Sequence, residues 1–253
     1  MRKSGILMHI SSLPGAYGVG SMGAAAYAFV DFLVAAGQSC WQILPLSPTG
    51  YGDSPYQSFS TFAGNHYLID LDILIEEGLL RAEELEGIDW GADPGRVDYG
   101  KLYNERARLL KLAFGRFEEN EEFREFVRDN SLWLEDYALF MAIKEHFHGR
   151  DWQNWSVSLL MRLRPVMEAY REELDEAVRF QYFLQYEFFR QWKALPRLPT
   201  KARALWPPAR YGSASATMPL PGRRENWWKN WKSVREKCKF FSKNYCLKKP
   251  FPL

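Results

Sequence analysis

The segment GYGDSPYQSFSTFAGN, from Gly50 to Asn65, concentrates the residues best suited to do chemistry. Tyr51, Asp53, Ser54, Tyr56, Gln57, Phe59, Phe62 and Asn65 stand there among Gly and Pro, without the regular apolar spacing that packs a core. Such a surface suits a sugar, whose C–H faces stack on rings and whose hydroxyls need paired donors and acceptors. The alternative is an ordinary long turn, because Gly, Pro and Ser clusters mostly act as punctuation. The aromatic content, and the apolar run Trp41 to Leu46 just before it, favour the binding surface.

Other chemistries find less support. Retaining glycoside chemistry needs two carboxylates about 5–5.5 Å apart across the scissile bond. Asp53 on the aromatic loop could meet a sugar hydroxyl, or could simply form a turn before Ser-Pro. Asp70, ending an apolar run, fits capping or pairing better than catalysis, and Asp98 follows a Gly/Pro turn. No pair of acids on successive strand ends stands out, and no Ser/His/Asp or Cys/His arrangement does. Gly15, Gly18 and Gly20 precede a helix but lack the order of a nucleotide fingerprint. His9, His66, His146 and His148 are too scattered for a metal, and Cys40, Cys238 and Cys246 form no ligand pattern, so no metal is expected.

The elements that must position the loop follow from the apolar pattern. Gly5–Ile10 and Cys40–Leu46 are short apolar runs suited to strands. Between them Ala24 to Ala36 carries a broad apolar face, with Gly37 as a C-cap. Strand, helix, strand in 46 residues predicts a βαβ unit with a parallel sheet, in which ligands gather beyond the carboxyl ends of the strands. Tyr67–Leu71 is a further short strand candidate. After it the pattern predicts helices over Asp72–Gly78 and Asn104–Phe117, one or two over Phe123–His146, and one last long helix from Pro165 to about Leu195. In that helix Val178, Tyr182, Tyr186, Phe189 and Trp192 form a stripe read as core.

At 47% hydrophobic and 25% charged, the 253 residues are globular in composition, and no apolar run approaches the length of a membrane span. Cysteine usage and the lack of an evident signal peptide point to a cytoplasmic location. The net charge of +2 conceals an asymmetry: residues 196–253 hold 14 Lys/Arg against Glu225 and Glu236, leaving the remainder at −10. That tail is rich in proline. Its segment Arg223–Phe241 has the period of a basic amphipathic helix, which would suit a nucleic acid or an anionic membrane, or else was never selected to fold with the rest.

The array GILMHISSLPGAYGVGSMG, then WQILPLSPTGYGDSPYQSFSTFAGNHYLIDLDIL, GRVDYGKLY and LWLEDYALFMAIK resembles the 4-alpha-glucanotransferases, the amylomaltases or disproportionating enzymes of starch and glycogen metabolism. The motifs run in order over residues 4–195. The resemblance implies an α/β fold, here the first strands of a (β/α)8 TIM-type barrel with helical insertions. Residues 1–72 would form the first βα units with the binding loop, and 73–195 a mostly helical insertion and return helix. It implies a cytoplasmic enzyme without a cofactor, moving α-1,4-glucan segments among maltodextrins, starch or glycogen with retention. No nucleic acid or membrane partner is expected. Tyr51, Ser54 and Tyr56 would line the glucan groove, Asp53, Gln57 and Asn65 would support it, and His9 and Ser11 would end the first barrel strand beneath it.

One departure matters. The family's nucleophilic Asp, acid/base Glu and stabilising Asp lie on later barrel strands, and nothing here matches their settings. The family pattern is followed through Gln191-Trp192-Lys193-Ala194-Leu195 and then stops. With the charge swing, this suggests that 196–253 is frameshifted or foreign sequence, and that no catalytic residue is present. Two or three strands cannot close a barrel, so the expectation is an inactive, marginally stable, aggregation-prone fragment. A non-catalytic glucan-binding protein is the alternative.

Overall fold

The computed structural model describes residues 4–195 apart from Tyr51 and Pro94. The Pro-rich tail and its expected basic helix therefore lie outside the described residues, as does Tyr51 itself.

Strands β1 (Gly5–Leu7) and β2 (Cys40–Gln42) pair in parallel, with Gly5 opposite Cys40 and Leu7 opposite Gln42. Helix α1 (Ala24–Ala35) crosses between them, and Gly37 leaves it at a φ of +63°, which favours glycine. The βαβ unit is as expected, but both strands are shorter than their apolar runs. Beyond Leu7 the Met8 N–H still bonds to Gln42 at 3.0 Å. The chain then winds into a 3-10 turn at Ile10–Ser12. His9 and Ser11 consequently sit just past the strand and do not end it. That turn is fixed by the following loop, whose Gly20 N–H donates to the Ser11 carbonyl at 3.1 Å. A Cβ on Gly20 would lie 2.1 Å from the Ile10 carbonyl oxygen, so this closure requires glycine. After β2, Pro45 and Pro48 cannot donate to a ladder.

Tyr67–Leu71 is not a strand. It forms a 3-10 turn at His66–Leu68 followed by α2 (Leu71–Glu76). Two side chains impose this: Asn65 Oδ1 accepts from the Tyr67 N–H at 3.0 Å, and Asp70 Oδ1 from the Ile73 N–H at 3.1 Å. Helix α3 (Tyr99–Arg116) starts five residues before its expected position because Asp98 caps it. Helix α4 (Glu121–His146) is continuous and capped by Asn120. A short α5 (Val157–Leu160), capped by Ser156, escaped the periodicity reading.

The expected single helix from Pro165 to Leu195 is two. Helix α6 (Arg164–Glu173) ends at Leu174, with φ −107° and ψ 24°, and α7 (Asp175–Ala194) begins there. The break lets α6 lay Val166, Met167 and Tyr170 on a small cluster around Ala142 and Trp155, while α7 enters the main core. In the stripe read as core, Val178 and Tyr186 are buried, but Tyr182, Phe189 and Trp192 are only partly so. The deepest side chains on α7 are Phe183 and Phe188, which pack with Ile10, Leu33 and Leu74. This helix is buried on most sides, so its polar residues are buried too. Gln185 and Gln191 serve as clamps. Gln185 accepts from the Gly64 N–H at 2.7 Å and donates to its carbonyl at 3.0 Å; Gln191 does the same for Asp70 at 2.7 and 3.3 Å. Together they seat residues 64–70 on α7. The fully buried Arg106 donates to the Ile69 carbonyl from the opposite side. Among the described residues no helix is long and apolar enough to cross a membrane.

Candidate functional site

Beyond the carboxyl ends of β1 and β2 lies a cleft of about 130 Å³. The segment after β1 contributes His9, Ser11 and Ser12, and the segment after β2 contributes Pro45, Thr49, Asp53 and Pro55. The capped turn supplies Asn65 and Tyr67, and the first residue of α3 supplies Tyr99. Four residues singled out in the sequence, His9, Ser11, Asp53 and Asn65, are thus brought together. Ser54, Tyr56 and Gln57 lie on the same loop but do not line this cleft; Tyr56 is 62% exposed, and the Ser54 hydroxyl accepts from the Tyr56 N–H at 3.3 Å.

Two buried polar atoms at the cleft have no hydrogen-bond partner among the described residues: His9 Nδ1 and Thr49 Oγ1. Burial holds the His9 pKa below its ordinary value, so the ring is neutral at physiological pH and one nitrogen accepts while the other donates. Tyr67 and Tyr99 form an aromatic wall, with ring centroids 5.9 Å apart and planes at 58°. The Tyr67 phenol is pushed up to about 12, first by burial and then by the Asp53 carboxylate. Tyr99 is raised by the same causes in the same order. Both phenols therefore stay protonated. Asp53 is the carboxylate that lines the cleft among the described residues, and it holds a left-handed φ of 56° after Gly52 at 92°.

Asn65 is half engaged, since its Oδ1 caps the 66–68 turn, which leaves its amide NH2 as a donor. Asp70 and Asp98 are likewise taken up as the caps of α2 and α3, the first as its sequence setting suggested. His146 and His148 lie exposed at the end of α4. Among the described residues no group of three or more His, Cys, Asp or Glu side chains gathers to hold a metal. Sequence reasoning missed Thr49, Tyr67 and Tyr99. Thr49 shares the loop and could have been included, but Tyr67 was assigned to a strand and Tyr99 to the approach to a helix. In chemical terms the cleft offers two rings, phenol and hydroxyl donors, an imidazole and one carboxylate.

The model of the 4-alpha-glucanotransferase family matches residues 8–204. The 4-alpha-glucanotransferase of Streptococcus pneumoniae is 54% identical over 198 residues, covering 77% of this chain and 39% of its own length. That of Thermus thermophilus is 50% identical over 200 residues, with the same coverage of 77% and 39%. Among solved structures, the amylomaltase of Streptococcus agalactiae in complex with acarbose superposes with a TM-score of 0.74 at 44% identity, over 77% of this chain and 40% of that one. The chain thus spans about 39% of the length of these curated relatives. The chain belongs to the 4-alpha-glucanotransferase family.

Proposed function

We propose that this chain holds the glucan-binding part of a 4-alpha-glucanotransferase and, by itself, binds α-1,4-glucans without transferring them. In this reading residues 1–72 are the first βα units of a partial (β/α)8 barrel and residues 73–195 a helical insertion with its return helix. The whole enzyme would act in the cytoplasm on maltodextrins, starch or glycogen, moving a segment to a new 4-hydroxyl with retention. That reaction needs a pair of carboxylates about 5–5.5 Å apart. Asp53 supplies one acid to the cleft, and the later-strand acids of the family have no counterpart in the sequence.

The observation that carries the reading is that Thr49 Oγ1 and His9 Nδ1, on two residues lining the same cleft, are both buried and unpartnered among the described residues. A sugar hydroxyl both donates and accepts, so a bound glucan would offer a partner to each atom while a pyranose face rests on the half-buried Tyr99. Ser54, Tyr56 and Gln57 would touch glucan units outside the cleft, and Tyr51 would join them.

Affinity electrophoresis in a maltodextrin gel, run beside a maltotriose disproportionation assay, tests this. Retardation without new products is expected. Unretarded migration would refute binding, and the appearance of glucose and longer dextrins would refute the absence of catalytic acids. Thr49→Val sharpens the test because its two effects have opposite signs. Removing an unpartnered hydroxyl leaves the free protein as stable or slightly more so, while retardation weakens by about five- to tenfold through the lost hydrogen bond.

A further inference from the structure

The loop from Thr49 to Phe62 is seated through its second half. The hydrogen bonds described for residues 52–57 stay within it: Asp53 N–H to the Gly50 carbonyl at 3.1 Å, and Gln57 N–H to the Ser54 carbonyl at 3.1 Å. The second half is anchored on α4. Phe62 stacks on Trp133, with centroids 6.1 Å apart and planes at 22°, and Phe59 lies 6.2 Å from Phe140. Above the Phe59 ring, at 5.0 Å from its centroid, sits the Lys144 ammonium, which also donates to the Gly149 carbonyl at 3.2 Å.

Phe59 is linked to the cleft in two ways. Its neighbour Ser58 bridges antiparallel to Thr49. Its ring edge also lies under Gly50, where an added Cβ would meet Phe59 Cζ at 3.3 Å. The ring therefore supports the point from which Thr49 and Asp53 project into the cleft.

We propose that Lys144 is a positioning residue for the glucan cleft: through the face of Phe59 it fixes the loop that carries Thr49 and Asp53. The inference rests on the glucan reading above. A cation over an aromatic face restrains the ring more firmly than packing alone, and the effect depends on charge rather than on side-chain volume.

Hydrogen exchange across residues 50–57, acarbose titration and thermal melting of the full chain test this in Lys144→Met, Lys144→Arg and Phe59→Leu. Lys144→Met should speed exchange in that segment and weaken acarbose by about two- to fivefold each, the scale of a partly exposed cation–π contact. The melting temperature should stay within about 2 °C of the parent. Lys144→Arg should restore both readouts. In a Phe59→Leu background Lys144→Met should change neither, which separates the ring from the Gly149 carbonyl. Unchanged exchange in Lys144→Met, failure of Arg to rescue, or a loosened loop with undiminished acarbose binding would each overturn the proposal. If the parent chain binds no acarbose, the glucan reading fails, and the exchange data still decide whether Lys144 holds the loop.

Discussion

Single residues on buried polar duty carry much of the site's geometry, and two of them give sharp predictions. Gln185 satisfies both the N–H and the carbonyl of Gly64, whose Cα packs so close to Phe188 that a Cβ there would lie 2.0 Å from the ring. Gln185→Leu strands two buried backbone groups and should cost about 2–4 kcal/mol in urea denaturation. His66, half-buried and close to Arg106, is pushed down to about 4, first by loss of solvent and then by the guanidinium. Its native pKa lies below the unfolded value of 6.5, so the unfolded chain takes up the proton first as pH falls. Stability is therefore full above pH 6.5 and is lost progressively from there down to about pH 4. Between pH 7 and about 4.5 this single group removes about 2–3 kcal/mol, and His66→Asn should shrink that difference in denaturation midpoints measured at the two pH values. Neither role was legible in the sequence. Gln185 and Gln191 sit in an aromatic helix, where they look like its solvent side, and their partners lie 121 residues away.

At the scale of elements, local signals were most readable where the chain carries its own instructions. The βαβ unit and the helix cap at Asp70 could be anticipated because each depends on neighbours within a few residues, whereas the cap at Asp98 was missed and with it the first turn of α3. Asp98→Ala should cost about 1 kcal/mol by removing the acceptor for the Lys101 N–H, read as a drop in melting temperature with acarbose affinity retained. Elements set by distant contacts were misread. The apolar stretch Tyr67–Leu71 resembles a strand by composition, but Asn65, Asp70, Gln191 and Arg106 turn its backbone into a seat for the cleft. The division of α6 from α7 at Leu174 was hidden because both halves are good helix sequence, and the break serves packing on two different clusters. Of the candidate site, the loop and its acid were legible, whereas Tyr67 and Tyr99 enter the cleft through folding.

For the whole molecule, several large apolar side chains stand exposed among the described residues, two of them on the βαβ unit. Leu7 at the end of β1 is 57% exposed and Phe32 on α1 is 54% exposed. Among the described residues the sheet has only these two strands, and a strand edge left unpaired is a template for association. Light scattering should show concentration-dependent self-association of the chain, and Leu7→Lys with Phe32→Glu should suppress it without lowering the melting temperature. A monomer at all concentrations would argue that this surface is already covered. The central claim is that the cleft beyond the two strands holds an α-glucan. It is tested most directly by following the ring nitrogens of His9 by NMR during titration with maltoheptaose. The account predicts a saturable shift at His9 Nδ1 with His146 and His148 unmoved. Saturable binding that leaves His9 untouched, or no binding at all, would contradict it.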